Sequence, residues 1–232
     1  MDERTVVVTG ASRGIGAAMV EEFTSRGAHV VCCARSEADL DDVAGDRDEV
    51  TAVAADVRDE YDVERLMEEA ARAGPEPGID HVVANAAVNH GDPGKTPLDG
   101  VSYTVFDDAM RTNVRGAFAT VKEAVPHLTD DARVLIPSGE VAREPTAGMG
   151  AYAVSKAGAE AVARGFAADL DQPVGVVDPG YVATDLSGGK GRDPEDVAEM
   201  FVWAATEADA DDLDGGVLEL KSWLKEKRSR NR

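Results

Sequence analysis

Tyr152 and Lys156 stand four residues apart at the end of the stretch Ser138 to Lys156, SGEVAREPTAGMGAYAVSK. On a helix that spacing puts both side chains on one face. A phenol ordinarily gives up its proton only near pH ~10, and a neighbouring ammonium favours the phenolate and lowers that value. Such a pair can pass a proton to or from a substrate oxygen near neutral pH, which is general acid–base catalysis. Ser138 can hydrogen-bond the same oxygen if the fold brings it opposite Tyr152. Y-x-x-x-K also arises by chance from a surface tyrosine and a solvated lysine, so the surrounding chain decides between the two.

The elements that must position this group begin near the N-terminus. Thr5–Val8, TVVV, is a β-branched run that leads into Thr9-Gly10-Ala11-Ser12-Arg13-Gly14-Ile15-Gly16. Ile15, Met19 and Phe23 then recur at helical spacing. Strand, glycine-rich turn and helix make a phosphate-binding unit, because the backbone can turn tightly and the helix N-terminus offers free N–H groups. The spacing is G-x-x-x-G-x-G rather than the G-x-G-x-x-G dinucleotide fingerprint. His29–Ala34, HVVCCA, reads as a strand buried in a parallel sheet and ends at Arg35-Ser36. In dinucleotide folds an acid at this strand end binds the ribose 2′-hydroxyl and an arginine accommodates a 2′-phosphate. Arg35, with Arg13 as a second cation, favours NADP(H) over NAD(H); the alternative is two solvated surface arginines.

The alternation continues. Strand Val50–Ala55 runs into Asp56-Val57, helix Glu60–Ala73 into a Gly-Pro turn, and strand Ile79–Ala84 into Asn85-Ala86-Ala87. A long helical region holds Phe106, Met110, Asn113, Phe118 and Val121, followed by strand Arg133–Ile136 up to Pro137-Ser138. Helix Ala151–Leu170 and strand Val174–Val177 lead to the turn Asp178-Pro179-Gly180. Asp193 is expected to cap a helix with Pro194 in its first turn, and Gly215–Leu220 reads as the last strand. This order predicts an α/β, doubly wound parallel sheet with helices on both faces. No linker, repeat or second domain interrupts it.

Composition narrows the function classes. The 232 residues, 43% of them hydrophobic, suit one large α/β domain. No apolar run approaches the ~20 residues of a membrane span, and Met1 leads into a charged segment rather than a signal peptide. Adjacent Cys32 and Cys33 are poorly placed for a disulfide and read as buried thiols of a reducing, cytoplasmic protein. The histidines are scattered, so no metal site is expected. The formal net charge of −21 opposes nucleic-acid binding. It suits either a basic partner or, as the favoured reading, a halophilic protein in a salt-rich cytoplasm, where screening relieves carboxylate repulsion.

Thr9-Gly10-x-x-x-Gly14-Ile15-Gly16, Asn85-Ala86, Ser138, Tyr152-x-x-x-Lys156 and Pro179-Gly180, in this order, resemble the short-chain dehydrogenases/reductases. The likeness runs from Thr5 to Leu220 and implies a Rossmann-type, seven-stranded sheet in a single domain, residues 1–220, before a basic tail, 221–232. It implies that Tyr152 is the acid/base, that Lys156 lowers its pKa and holds the nicotinamide ribose, that Ser138 orients the carbonyl or alcohol, and that Asn113 keeps a relay water. Gly10, Ser12, Arg13, Gly14, Ile15 and Gly16 would cradle phosphates and ribose, with Arg35 and Ser36 at the 2′ position. Asp56 and Val57 would meet adenine, and Asn85, Ala86 and Ala87 would line the route to nicotinamide. Pro179, Gly180, Val182 and Thr184 would fix the carboxamide. Ala84, Ala87 and Pro137 depart from the family's N-N-A-G and its usual residue before the serine. Asp185–Gly191, the substrate cover in relatives, is short and glycine-rich and is expected to be mobile; the tail is expected to fray. The implied activity is hydride transfer between NADP(H) and a small-molecule carbonyl or alcohol, which side-chain patterning does not identify further, in a homodimer or homotetramer. The alternative is a non-catalytic NADP-binding sensor or scaffold.

Overall fold

The computed structural model describes residues 1–230 of the chain. Strands form where β-branched and small apolar residues run unbroken: β1 (Thr5–Thr9), β2 (His29–Ala34), β3 (Val50–Ala54), β4 (Ile79–Val83), β5 (Leu128–Pro137), β6 (Val174–Asp178) and β7 (Val217–Glu219). All pairings are parallel, in the order β3-β2-β1-β4-β5-β6-β7. The helices between them are α1 (Gly14–Ser25), α2 (Glu37–Ala44), α3 (Glu60–Ala73), α4 (Tyr103–Ala109), α5 (Gly116–Ala124), α6 (Gly150–Asp169), α7 (Pro194–Thr206), α8 (Ala210–Leu213) and α9 (Leu220–Arg230).

Alternate residues of each strand point to opposite layers. Val6, Val8, Val30 and Cys32 face one layer, whose core also holds Met19 and Phe23 of α1 and Phe201 of α7. Val7, Val31 and Cys33 face the other layer, whose core also holds Val63, Leu66 and Met67 of α3, Val121 of α5 and Ala159 of α6. Each large side chain so buried contributes roughly 1.5–3 kcal/mol, which makes the sheet a rigid platform for the loops at its C-terminal edge. The expected buried thiols are there: Cys32 and Cys33 are free, and burial pushes them up to about 11 and about 12.

The structure differs from expectation in four places. First, the acidic stretch EADLDDVA, to which the sequence assigned no element, forms the helix α2, with Leu40 and Ala44 buried in the core. Second, the long helical region is broken by a π-helical turn over Met110–Arg115, between α4 and α5. Third, Asp193 occupies the N-cap position of α7 but makes no side-chain cap bond, so Pro194 alone marks the start. Fourth, the basic tail is not frayed as far as Arg230. It folds as α9, with Trp223 buried and Lys227 4.7 Å from the centre of its ring. Lys227 pairs with Glu199 and Arg230 with Glu207, so the cations find acidic partners on α7 and at its end within the same chain. Residues 231 and 232 of the expected tail lie outside the described residues. Among the described residues, no helix is long and apolar enough to cross a membrane.

Candidate active site

β1 and β4 are neighbours at the centre of the sheet, and strand order runs outward from them in both directions. In open α/β sheets ligands bind in the crevice at such a reversal, beyond the carboxyl ends of the strands. A cleft of about 750 Å³ occupies that place, lined by the Gly10–Gly16 turn, Ala34–Ser36, Ala55–Arg58 and Asn85–Val88. Gly10 and Gly14 hold φ of +68° and +57°. A Cβ on Gly10 would lie 2.7 Å from Ala86 Cα, and one on Gly14 3.1 Å from Thr184 Cγ2. Arg13 sits extended at the N-cap of α1 and gives no side-chain cap. The first-turn N–H groups of α1 are therefore left for an anion lying over the glycines.

Thr9 and Asn85 lock the two central strand ends together. Thr9 Oγ1 accepts from the N–H groups of Asn85 and Ala86 at 3.0 and 3.1 Å, and Asn85 Nδ2 donates back to the carbonyls of Thr9 and Gly10 at 2.9 and 3.1 Å. Asn85 thus builds the wall of the cleft with its backbone while its side chain braces β1. Arg35 is exposed at the end of β2. Ser36 Oγ caps α2 by accepting from Asp39 N at 3.3 Å. Arg13 reaches across to Asp185 at 3.3 Å, a solvated pair. The Asp56 carboxylate is gripped by Arg58 at 2.7 Å, which holds it below the usual carboxylate range, and Val57 is buried against Gly116.

Ser138, Tyr152 and Lys156 line a second hollow of about 530 Å³. It opens into the first, sharing Ile15, Asn85, Ala87 and Thr184 as lining, and Pro179, Gly180 and Val182 form its far wall. Ser138 is carried at the end of β5, where its N–H donates to Val177 O at 3.0 Å; its Oγ is buried without a hydrogen-bond partner. Pro137 is the last residue of β5, and its carbonyl accepts from Lys156 Nζ at 2.9 Å. Two of the ammonium's three donors remain for a ligand.

The electrostatics differ from the simple reading of the spacing. Burial, reinforced by Tyr181, pushes Tyr152 up to about 12, and burial pulls Lys156 down to about 8 against the opposing charge of Glu160. Lys156 Nζ lies 5.8 Å from the Tyr152 ring centre. In the protein by itself, desolvation thus outweighs the ammonium's pull on the phenol. At neutral pH the pair is a neutral phenol beside a predominantly charged amine, the form that can donate a proton.

Asn113 is buried in the π-helical turn. Its Nδ2 donates to Val88 O at 2.9 Å and Ser155 Oγ at 2.8 Å, and its Oδ1 accepts from Val88 N at 2.8 Å. The side chain is therefore spent on fixing the cleft wall to α6. Within the cover segment, Asp185–Ser187 forms a 3₁₀ turn closed by a Thr184–Ser187 capping box, with Ser187 Oγ donating to Val182 O at 2.6 Å. Sequence reasoning missed Arg143, Glu160 and Asp178, which meet beside the hollow. The available signals were Glu160 one helical turn beyond Lys156 and Arg143 shortly after Ser138.

A doubly wound sheet with a glycine-cradled crevice opening onto a Ser–Tyr–Lys hollow defines a dinucleotide-dependent oxidoreductase scaffold. The sequence matches the short chain dehydrogenase family over residues 4–195. The chain belongs to that family. It is 31% identical over 207 residues to the NADPH-dependent aldehyde reductase 2, chloroplastic, of Arabidopsis thaliana, covering 79% of this chain and 74% of that protein. It is likewise 31% identical over 222 residues to the cyclic-di-GMP-binding biofilm dispersal mediator protein of Escherichia coli, covering 87% and 89%. Among solved structures it resembles the 3-ketoacyl-(acyl-carrier-protein) reductase of Brucella melitensis complexed with NADH, with TM-score 0.85, 26% identity and coverage of 94% and 97%. A short chain dehydrogenase of Burkholderia cenocepacia in complex with NADP gives 0.82 and 26%, over 95% and 97%.

Proposed function

We propose that this protein transfers hydride between NADP(H) and a small carbonyl or alcohol, with Tyr152 as proton donor and acceptor. The observation that carries this reading is the buried, partnerless Ser138 hydroxyl in one hollow with Tyr152 and Lys156, open to the dinucleotide cleft. The glycine cradle and the uncapped N-terminus of α1 fit a pyrophosphate. NADP(H), when bound, supplies or accepts the hydride. Ser138 Oγ donates to the substrate oxygen and fixes its orientation. Tyr152 gives its proton to that oxygen in reduction and takes it back in oxidation. The Lys156 ammonium holds the ribose hydroxyls and stabilises the phenolate that Tyr152 leaves. Asn113 ties the cleft wall to α6, and Pro179, Gly180, Val182 and Thr184 hold the carboxamide end. Asp56 and Val57 border the adenine. Single-turnover mixing of the NADPH-loaded protein with a panel of ketones and aldehydes tests the reading. Oxidation of NADPH is expected; bound NADPH that no carbonyl oxidises would favour a sensor or scaffold.

Arg13 and Arg35 both line the dinucleotide cleft, two cations that a 2′-phosphate could pair with, which supports NADPH over NADH. A charge-assisted hydrogen bond is worth roughly 1.5–3 kcal/mol. Arg35→Ala is therefore expected to weaken NADPH binding about ten- to hundredfold and leave NADH binding nearly unchanged. Fluorescence titration with both dinucleotides reads this directly, and an equal loss for both would refute the role. The net charge of −21 supports adaptation to high salt. The melting temperature is expected to rise with KCl up to molar concentration, where the screening length shrinks to ~3 Å; a temperature indifferent to KCl would remove that proposal.

A further inference from the structure

Arg143 lies on the short loop that follows Ser138, with its side chain 28% exposed. Its Nη1 donates to Glu160 Oε1 at 2.6 Å, and its Nη2 to Asp178 Oδ2. Both acceptors are buried, the Glu160 side chain 3% and the Asp178 side chain 9% exposed. Glu160 stands one turn beyond Lys156 on α6, so the two side chains share a face. Asp178 ends β6, and its second oxygen accepts from Gly180 N at 3.0 Å. One guanidinium thus spans the Ser138 loop, the Tyr152–Lys156 helix and the Pro179–Gly180 turn. Two carboxylates this deep are costly without a cation between them.

We infer that Arg143 is a positioning residue: it clamps the three elements that carry the active groups, and by neutralising Glu160 it sets the charge felt by Lys156. The part of this concerning turnover rests on the oxidoreductase reading; the clamp and its charge effect do not. The charges facing the Tyr152–Lys156 pair can be followed element by element. Tyr181 approaches Tyr152 from the turn after β6, and Glu160 approaches Lys156 from α6. Glu140 and Glu144 beside Arg143, and Glu219 and Lys221 around the end of β7, line the rim of the hollow. Elsewhere around α6, Arg164 leans on Glu160 at 4.0 Å, Arg115 on the π-helical turn pairs with Glu60, and Asp108 on α4 pairs with Arg58 and His90. Glu160 is accordingly the charge that acts on Lys156, and Arg143 is the cation paired most closely with it.

Removing a cation beside a titrating group raises its pKa, and removing an anion lowers it. Arg143→Met is expected to move the Lys156 midpoint up by about half a unit or more, and Glu160→Gln to move it down by a similar amount. The double variant is expected to return close to the unmodified protein. A merely structural clamp predicts no such opposition of sign. The readout is carbon-13 NMR titration of the lysine ε-carbons, with Lys156 assigned by Lys156→Met, so no turnover is needed. Should Arg143→Met fail to fold, Arg143→Lys is the second variant: it is expected to keep the midpoint and lower the melting temperature, since one amine cannot span both carboxylates. Folded Glu160→Gln with an unmoved midpoint, or single variants moving in the same direction, would overturn the inference. Failure of the oxidoreductase reading shows separately, as absence of hydride transfer in the unmodified protein.

Discussion

Tyr152→Phe is expected to lower kcat for carbonyl reduction by about a thousandfold, within the ~10²–10⁴ that a positioned general acid contributes. The substitution removes a single oxygen and keeps the ring that packs in the half-buried wall of the hollow. NADPH affinity and melting temperature are therefore expected to stay close to those of the unmodified protein. The sign of the pH dependence follows from the two shifts. Tyr152, up at about 12, remains protonated through the working range, so the phenol is always ready to donate. Lys156, down at about 8, carries its charge below that value and loses it above. Reduction should run level at lower pH and fall as pH rises through about 8, because the ammonium that stabilises the departing phenolate is lost. Steady-state rates of both proteins across pH, with NADPH titrated in parallel, check the prediction. Undiminished turnover in Tyr152→Phe would reassign the proton to another group.

The second large effect is expected at Gly16. Its backbone is ordinary, so the constraint is one of space rather than of conformation. A Cβ there would collide with the Gly10 carbonyl oxygen and would stand 2.8 Å from Asn85 Nδ2 and 2.9 Å from Ala11 Cα. Two of these are backbone atoms, and the third belongs to an amide already committed to the carbonyls of Thr9 and Gly10. No flexible side chain is available to yield, so α1 has to lift away from β1 and β4. Overpacking of this kind costs roughly 1–3 kcal/mol. Lifting α1 also withdraws its N-terminal donors from the cleft, and Gly16→Ala is expected to weaken NADPH binding about a hundredfold. Gly139→Ala is the matched control. That residue is extended, with φ −169°, and an added Cβ meets nothing within 4 Å. Thermal melts and NADPH titrations of the two variants should separate them clearly; native affinity in Gly16→Ala would mean that the turn is not the cofactor cradle.

Much of this architecture was legible from local pattern. TVVV and HVVCCA announce buried parallel strands because both faces of each need apolar cover, and the glycine spacing after β1 announces a turn that backbone must pass closely. The Tyr152–Lys156 spacing likewise puts two side chains together wherever a helix forms. What stayed hidden depends on tertiary context. AMRTNVR reads as ordinary helix, and the π-helical turn there accompanies the ties of Asn113 to Val88 and Ser155. The helix α2 was masked by its acids, and Arg143, Glu160 and Asp178 resembled the many solvated charges of an acidic chain. Nothing local says that residues 17 and 35 positions apart will converge. The titration of Tyr152 was misjudged for the same reason: spacing names its neighbour, but burial decides which effect wins.

Cys32 and Cys33 add a consequence of strand alternation. Adjacent in the chain, they look out from opposite sides of the same strand, one into each layer of helices. With thiols at about 11 and about 12, neither is nucleophilic at neutral pH while the strand is covered. The chain therefore carries a built-in pair of silent labels, one per layer. Cys32 opens to an alkylating reagent when the layer holding α1 and α2 parts, and Cys33 when the layer holding α3 does. Singly and doubly alkylated molecules would then distinguish a protein that breathes one layer at a time from one that opens as a unit.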